Sequence, residues 1–246
     1  MIKLSVIIPA YKEEKNIGST IKNVAEELTK LPFESEVVVV VDGSPDNTEA
    51  VALKAAKPYH FVKVLSYSPN RGKGYALTYG VRYCHGELVT FFDAGGDYHP
   101  NHIDPYVKLL EAFDADMVVG SKLHPASNIN YPFKRRVMSR IYRLMNRILF
   151  NIDVKDTQTG LKLAKTKVLD NILPRVVVKQ YAFDLELLVL AKKRGYRRIF
   201  EAPVNLDFNT VASGIRAKTI IAMIKDTLGI WYRLRITHYY DKKHNL

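Results

Sequence analysis

The segment FFDAGGDYHP, residues 91–100, ends a dense apolar run on one carboxylate, Asp93, and sets a second, Asp97, beyond a pair of glycines. Carboxylates hold hard divalent ions such as Mg2+ and Mn2+, above all beside diphosphates. Asp and Gly also build tight turns, so residue type alone leaves two readings: an acidic turn or a metal-holding element. Two further acids fall where apolar runs stop, Glu13 just past LSVIIPAY (4–11) and Asp42 at the end of EVVVVVD (36–42). NRGKG, residues 70–74, is basic, rich in glycine and leads into a helical pattern, whose free N–H groups attract phosphate. It has neither the P-loop nor the dinucleotide spacing. YAFDLELL (181–188) places Asp184 and Glu186 on different faces of a helix, so at least one should reach the site or cap a neighbouring element. The histidines show no metal-ligand spacing; His99 and His102, the close pair near these acids, read as structural or substrate-side.

Positioning these groups falls to an alternation of two textures. LSVIIPAY (4–11), EVVVVVD (36–42), FVKVLSY (61–67), ELVTFFD (87–93) and MVVGSK (117–122) are short and rich in β-branched or aromatic residues, as strands are when helices cover both faces of a parallel sheet. Helical patterns at 14–30, 47–57, 73–84 and 102–113 separate them. The alternation predicts an α/β fold with an open, mostly parallel, doubly wound sheet. Ligands of such sheets bind outside the carboxyl ends of the strands, where Glu13, Asp42, Asp93 and the NRGKG loop should meet.

The chain has 246 residues, 47% of them hydrophobic and 25% charged, as befits a packed globular protein. Its one cysteine, Cys84, excludes a disulfide framework and a cysteine-rich zinc site, and fits a reducing compartment. The N-terminal apolar run is too short for a signal peptide, and no stretch reaches the roughly 18 apolar residues of a membrane span. A net charge of +12 calls for an anionic partner: nucleic acid, an anionic membrane or phosphorylated small molecules.

The second half says where that charge lies. FKRRVMSRIYRLMNRILF (133–150) holds six basic residues and no acid. Arg136, Arg140, Arg143 and Arg147 form one helical stripe, beside an apolar one of Val137, Ile141, Leu144 and Ile148. A helix packed in the core with a solvated face is the plain alternative, but such faces mix signs; a basic amphipathic helix reads as a membrane-surface element. Nucleic acid fits less well, because the charge adjoins broad apolar surface and not isolated stacking aromatics. The tail repeats the theme around Trp231, with Tyr232, Tyr239 and Tyr240 suited to headgroup level. One domain over 1–215 with a membrane-surface helical extension over 216–246 is the expected organisation.

Taken in order, SVIIPAYKEEKNI, VVDGSPDNT, NRGKGYAL, FFDAGGDYHP, DTQTGLKL (156–163) and YAFDLELL resemble the inverting nucleotide-sugar glycosyltransferases of the GT-A fold. They are most similar to the branch that makes polyprenyl-phosphate sugars, the dolichyl-phosphate glucose and mannose synthases, over roughly residues 3–235, with the last two motifs nearer the glucosyl side. The resemblance implies a UDP-glucose donor ahead of GDP-mannose, a polyprenyl or dolichyl phosphate acceptor and a divalent metal, Mg2+ or Mn2+. It also implies a peripheral place on the cytoplasmic face of a membrane, with no nucleic-acid partner. By position it assigns Pro9, Tyr11, Glu13 and Asp42 to base and ribose, and Lys73, Asp93 and Ala94 to the nucleotide sugar. Asp93 and Asp97 take the metal and the catalytic role, while Arg135, Ser139 and Lys122 take the acceptor phosphate. The sequence departs from the family pattern at Gly95, which replaces the second acid of Asp-x-Asp, at Val41, where a double acid is usual, and at Lys122, where arginine is common. Transfer to a soluble or glycan hydroxyl by the same fold, and non-catalytic binding at a membrane surface, are the rival functions.

Overall fold

The protein is described by a computed structural model over residues 1–96, 98–127, 133–205 and 217–242, with the side chains of 133–136 and 217–218 outside that description. Seven strands form one sheet: β1 (Leu4–Ala10), β2 (Ser35–Asp42), β3 (Val62–Tyr67), β4 (Leu88–Phe91), β5 (Met117–Ser121), β6 (Lys162–Lys165) and β7 (Ile199–Pro203). Their order is β3-β2-β1-β4-β6-β5-β7, parallel throughout except for β6, which runs antiparallel to both β4 and β5.

Helices α1 (Ile17–Leu28), α2 (Thr48–Ala56) and α4 (Ile103–Ala112) cover one face; α3 (Lys73–Val81), α6 (Thr166–Ile172), α7 (Phe183–Lys193) and the inner sides of α5 (Phe133–Phe150) and α8 (Ala217–Arg235) cover the other. The valine run of β2 shows why both faces must be covered. Val37, Val39 and Val41 enter one apolar layer, Val38 and Val40 the other, and all five are buried. Each such burial contributes about 1.5–3 kcal/mol, so neither face could stay in water.

β1 is central, with β2 on one side and β4 on the other. The strand order reverses between β1 and β4, and that is the switch point at whose carboxyl edge open α/β sheets bind ligands. β4 stops at Phe91, two residues earlier than its apolar run suggests, so Asp93 stands beyond the strand end. Two elements left no clear mark in the sequence, the antiparallel β6 and the short α6 that follows it.

Candidate functional site

Asp93 stands at the switch point, just past the end of β4. Its carboxylate receives an ion pair from Lys73, the first residue of α3, at 2.5 Å. Burial opposes its charge, but the fields of Lys73, then of Lys162 and Lys122, outweigh that cost and hold the Asp93 carboxyl below the usual carboxylate range. Lys162 and Lys122 each also pair with an acid of their own, Asp184 and Asp156, so the direct ion pair on Asp93 is that of Lys73.

The approach of Asp93 depends on Gly160, in the turn just before β6. A Cβ at position 160 would stand 1.8 Å from Asp93 Oδ2. The glycine lets the carboxylate lie directly on the backbone of the DTQTGLKL segment. Next to it Lys162, almost wholly buried, bonds the Thr159 carbonyl and pairs with Asp184 at 2.6 Å. Burial lowers the Lys162 pKa, against the opposing field of Asp184. Asp156 opens the same segment and receives both the backbone N–H of Lys122, at 3.0 Å, and its ammonium, at 3.7 Å.

The residues expected at base and ribose sit on the same edge. Pro9 is the last residue but one of β1, and the exposed Tyr11 follows the strand. The turn after it is fastened to the β2–α2 loop, Lys12 N–H donating to Ser44 Oγ at 2.8 Å and Glu13 N–H to Thr48 Oγ1 at 2.9 Å. Asp42 has work of its own: it accepts from Arg71 N–H at 2.7 Å, Gly72 N–H at 2.8 Å and Asn70 Nδ2 at 2.8 Å. The buried acid thus shapes the NRGKG loop, helped by Gly72, whose φ of +94° suits glycine. Ala94 is buried and its carbonyl accepts from Thr20 Oγ1 at 2.8 Å.

Several expected site residues lie apart or outside. Asp97 falls outside the described residues, as does the side chain of Arg135. Ser139 is exposed on α5. His102 is structural: its Nε2 accepts the Asn205 N–H at 3.1 Å. The Asp184/Glu186 pair divides, Asp184 pairing with Lys162 beside the site and Glu186 binding the backbone of Val177 and Val178.

Among the described residues no three His, Cys, Asp or Glu gather into a metal cluster. Mg2+ and Mn2+ at diphosphates, however, are held by one or two carboxylates and complete their shells with phosphate oxygens and water. Asp93 fits that mode: its carboxylate is ionised and already faces a cation.

The outer sides of α5 and α8 complete the picture. Ile141, Leu144 and Ile148 are 58%, 60% and 72% exposed, and Ile221 on α8 is 68% exposed. Leu228 and Tyr232 continue that face. The two helices touch through a Tyr142–Thr227 hydroxyl hydrogen bond of 3.0 Å, and Asn146 of α5 reaches Thr157 of the DTQTGLKL segment at 3.5 Å. No described helix is long and apolar enough to cross a membrane.

Comparison with known proteins gives this architecture its relatives. The family model Glycosyl transferase family 2 matches residues 5–173. A Trichomonas vaginalis protein named dolichyl-phosphate beta-glucosyltransferase ALG5D is 29% identical over 256 residues, covering 98% of this chain and 77% of its own length. The glycosyltransferase AglD of Haloferax volcanii is 27% identical over 237 residues; the match covers 96% of this chain but only 38% of that protein. Among solved structures, glucosyl-3-phosphoglycerate synthase from Mycobacterium tuberculosis, crystallised with Mn2+, UDP and phosphoglyceric acid, superposes with a TM-score of 0.72 at 22% identity, over 94% of this chain and 78% of that one.

Proposed function

This chain belongs to glycosyl transferase family 2, and from that premise we propose that it moves a hexose from a nucleotide diphosphate sugar, UDP-glucose ahead of GDP-mannose, to a polyprenyl phosphate at a membrane surface, with inversion. The observation that carries this reading is the joining of two features by one segment. Residues 156–160 back Asp93 through Gly160 and meet the inner side of α5 through Thr157. A soluble donor and a membrane-held acceptor would meet across that segment.

The chemistry asks little acid–base work of the protein. A phosphate monoester has a second pKa near 6, so much of it is dianionic at neutral pH. One of its oxygens attacks the anomeric carbon while the bond from that carbon to the diphosphate oxygen breaks, and no proton need move. The burden falls on the leaving diphosphate, whose growing charge Lys73 would offset in a partly dry site. Asp93, with Asp97, would hold a divalent cation, Mg2+ or Mn2+, which when bound supplies further charge stabilisation. Arg135, Ser139 and Lys122 would receive the acceptor phosphate. The exposed faces of α5 and α8, with Arg140, Arg147, Lys225 and Arg235 beside them, would keep the enzyme peripheral, on the cytoplasmic side where the donor is found.

A donor panel separates the alternatives. Each nucleotide sugar is offered with a polyprenyl phosphate, the matching polyprenol and a soluble glycan, and products are identified by mass. Transfer to the lipid phosphate alone is expected. Transfer to the polyprenol or glycan would instead indicate a hydroxyl-directed enzyme.

A further inference from the structure

The tail of the chain returns to Glu186, the acid of the YAFDLELL pair that lies away from Asp93. Glu186, on α7, is fully buried. One carboxylate oxygen accepts the Val177 N–H at 2.9 Å and the Val178 N–H at 2.7 Å. The other receives the hydroxyl of Tyr240 and, at 3.5 Å, the guanidinium of Arg233. Tyr240 is itself fully buried, in a 3-10 turn (Tyr239–Asp241) after α8, and Arg233 Nε donates to its hydroxyl at 2.9 Å. Arg194 Nη2 fixes the Tyr240 carbonyl at 2.9 Å, and Lys193 pairs with Asp241 at 2.7 Å. The tail is thus fastened to α7 and its C-cap at four points, two of them on the Glu186 carboxylate.

The loop that Glu186 holds is the loop against which the donor site is built. The carbonyl of Lys179, next after Val178, accepts the Gly74 N–H at 2.8 Å, at the start of α3. Contact there is tight: a Cβ at Gly72 would meet Lys179 O at 2.5 Å, and one at Gly74 would meet the Phe183 ring at 2.5 Å. Lys73 lies between these two glycines and carries the ion pair to Asp93. Buried polar groups are costly to leave unmatched, so a change at Tyr240 should reach Lys73 through a short run of satisfied bonds.

We infer that Glu186 is a positioning residue for the donor site, and that the C-terminal turn at Tyr240 completes the site by fixing Glu186, the 177–179 loop and Lys73 in register. The inference rests on reading Asp93 and Lys73 as the donor-diphosphate site. It gives the tail a task inside the enzyme, separate from any contact of α8 with lipid.

The full chain tests it with UDP and GDP as probes. Tyr240→Phe keeps the buried ring and removes the hydroxyl. Glu186→Gln keeps the side-chain length and one acceptor oxygen, but turns an amide towards Arg233. Both should bind the nucleotide diphosphate about tenfold more weakly than wild type, and the Gly74, Val177 and Val178 amides should exchange faster. A control, Ile21→Val, lies in the apolar layer on the opposite sheet face; it should lower thermal stability without moving nucleotide affinity. Wild-type affinity and unchanged amide exchange in folded Tyr240→Phe would overturn the relay. If Ile21→Val weakens binding as much as Tyr240→Phe does, the effect is general loosening and the relay is again refuted. If wild type binds neither nucleotide, the donor-site reading fails first and the relay goes with it.

Discussion

Asp93 and Lys73 concentrate the chemistry in a few atoms. Asp93→Asn should lower transfer about 10²–10³-fold, as loss of one electrostatic group in a preorganised site does, while the circular dichroism spectrum stays that of the folded protein. Gly160→Ala should act the same way by a different route, because its methyl would occupy the place of the carboxylate. Overpacking of that kind costs about 1–3 kcal/mol of stability, readable by denaturant titration; full activity in this variant would show that Asp93 is not at the reacting centre. Lys162→Met strands Asp184 in the interior, a loss of about 3–5 kcal/mol, and adding Asp184→Leu should restore most of that stability without restoring nucleotide affinity. The pH dependence follows from the sign of the Asp93 shift. A carboxyl depressed in the folded state contributes stability above its unfolded pKa and loses it only as pH falls through the lower, folded value. Asp93 therefore stays ionised where a lipid phosphate gains its second proton. Turnover with the acceptor should fall as pH drops through about 6, with binding of the nucleotide sugar, whose diphosphate has no ionisation in that range, unchanged; a parallel fall in both would contradict this. The acids at strand ends were legible from sequence because they end apolar runs. Gly160 and Lys162 were not: nothing in their local pattern says that a carboxylate from another strand comes to rest on them.

At the scale of elements, the valine-rich strands and the helices between them announced themselves, since both faces of a parallel sheet must be apolar. β6 did not. It is four residues long with a lysine at each end, and its place between β4 and β5 comes from long-range pairing. Tertiary context decides such strands. The basic stripe of 133–150 left open whether its apolar neighbour packs inward; Ile141, Leu144 and Ile148 face outward. If that face meets lipid, Ile141→Glu with Leu144→Glu should cut sedimentation with anionic vesicles severalfold and leave the melting temperature unchanged. Charge reversal at Arg140 and Arg143 should weaken the same binding, mostly at low salt, because screening shortens to roughly 3 Å at 1 M. Wild-type protein that stays in the supernatant at low salt would remove the membrane role. The tail shows two sides of one element: α8 buries Ile230 and Thr227 against the domain and leaves Ile221, Leu228 and Tyr232 outside.

The whole molecule is a family 2 glycosyltransferase with a net charge of +12. Part of that charge runs along α5 and α8, where a membrane-held anionic acceptor would use it. The sheet's switch point, and the place of Asp93 just beyond a strand end there, could be read from residue order alone. How the tail closes back on α7 could not, because Tyr240 and Glu186 are distant in sequence and neither lies in a periodic pattern that points to the other. The most direct measurement is extraction of the product after incubating the protein with labelled UDP-glucose, Mg2+ and vesicles carrying a polyprenyl phosphate. Transfer to lipid phosphate predicts a labelled glycosyl phosphate of inverted anomeric configuration in the organic phase, formed by wild type and absent with Asp93→Asn. Label that stays in the aqueous phase as free glucose or glycan, or a lipid product formed equally by Asp93→Asn, would contradict it.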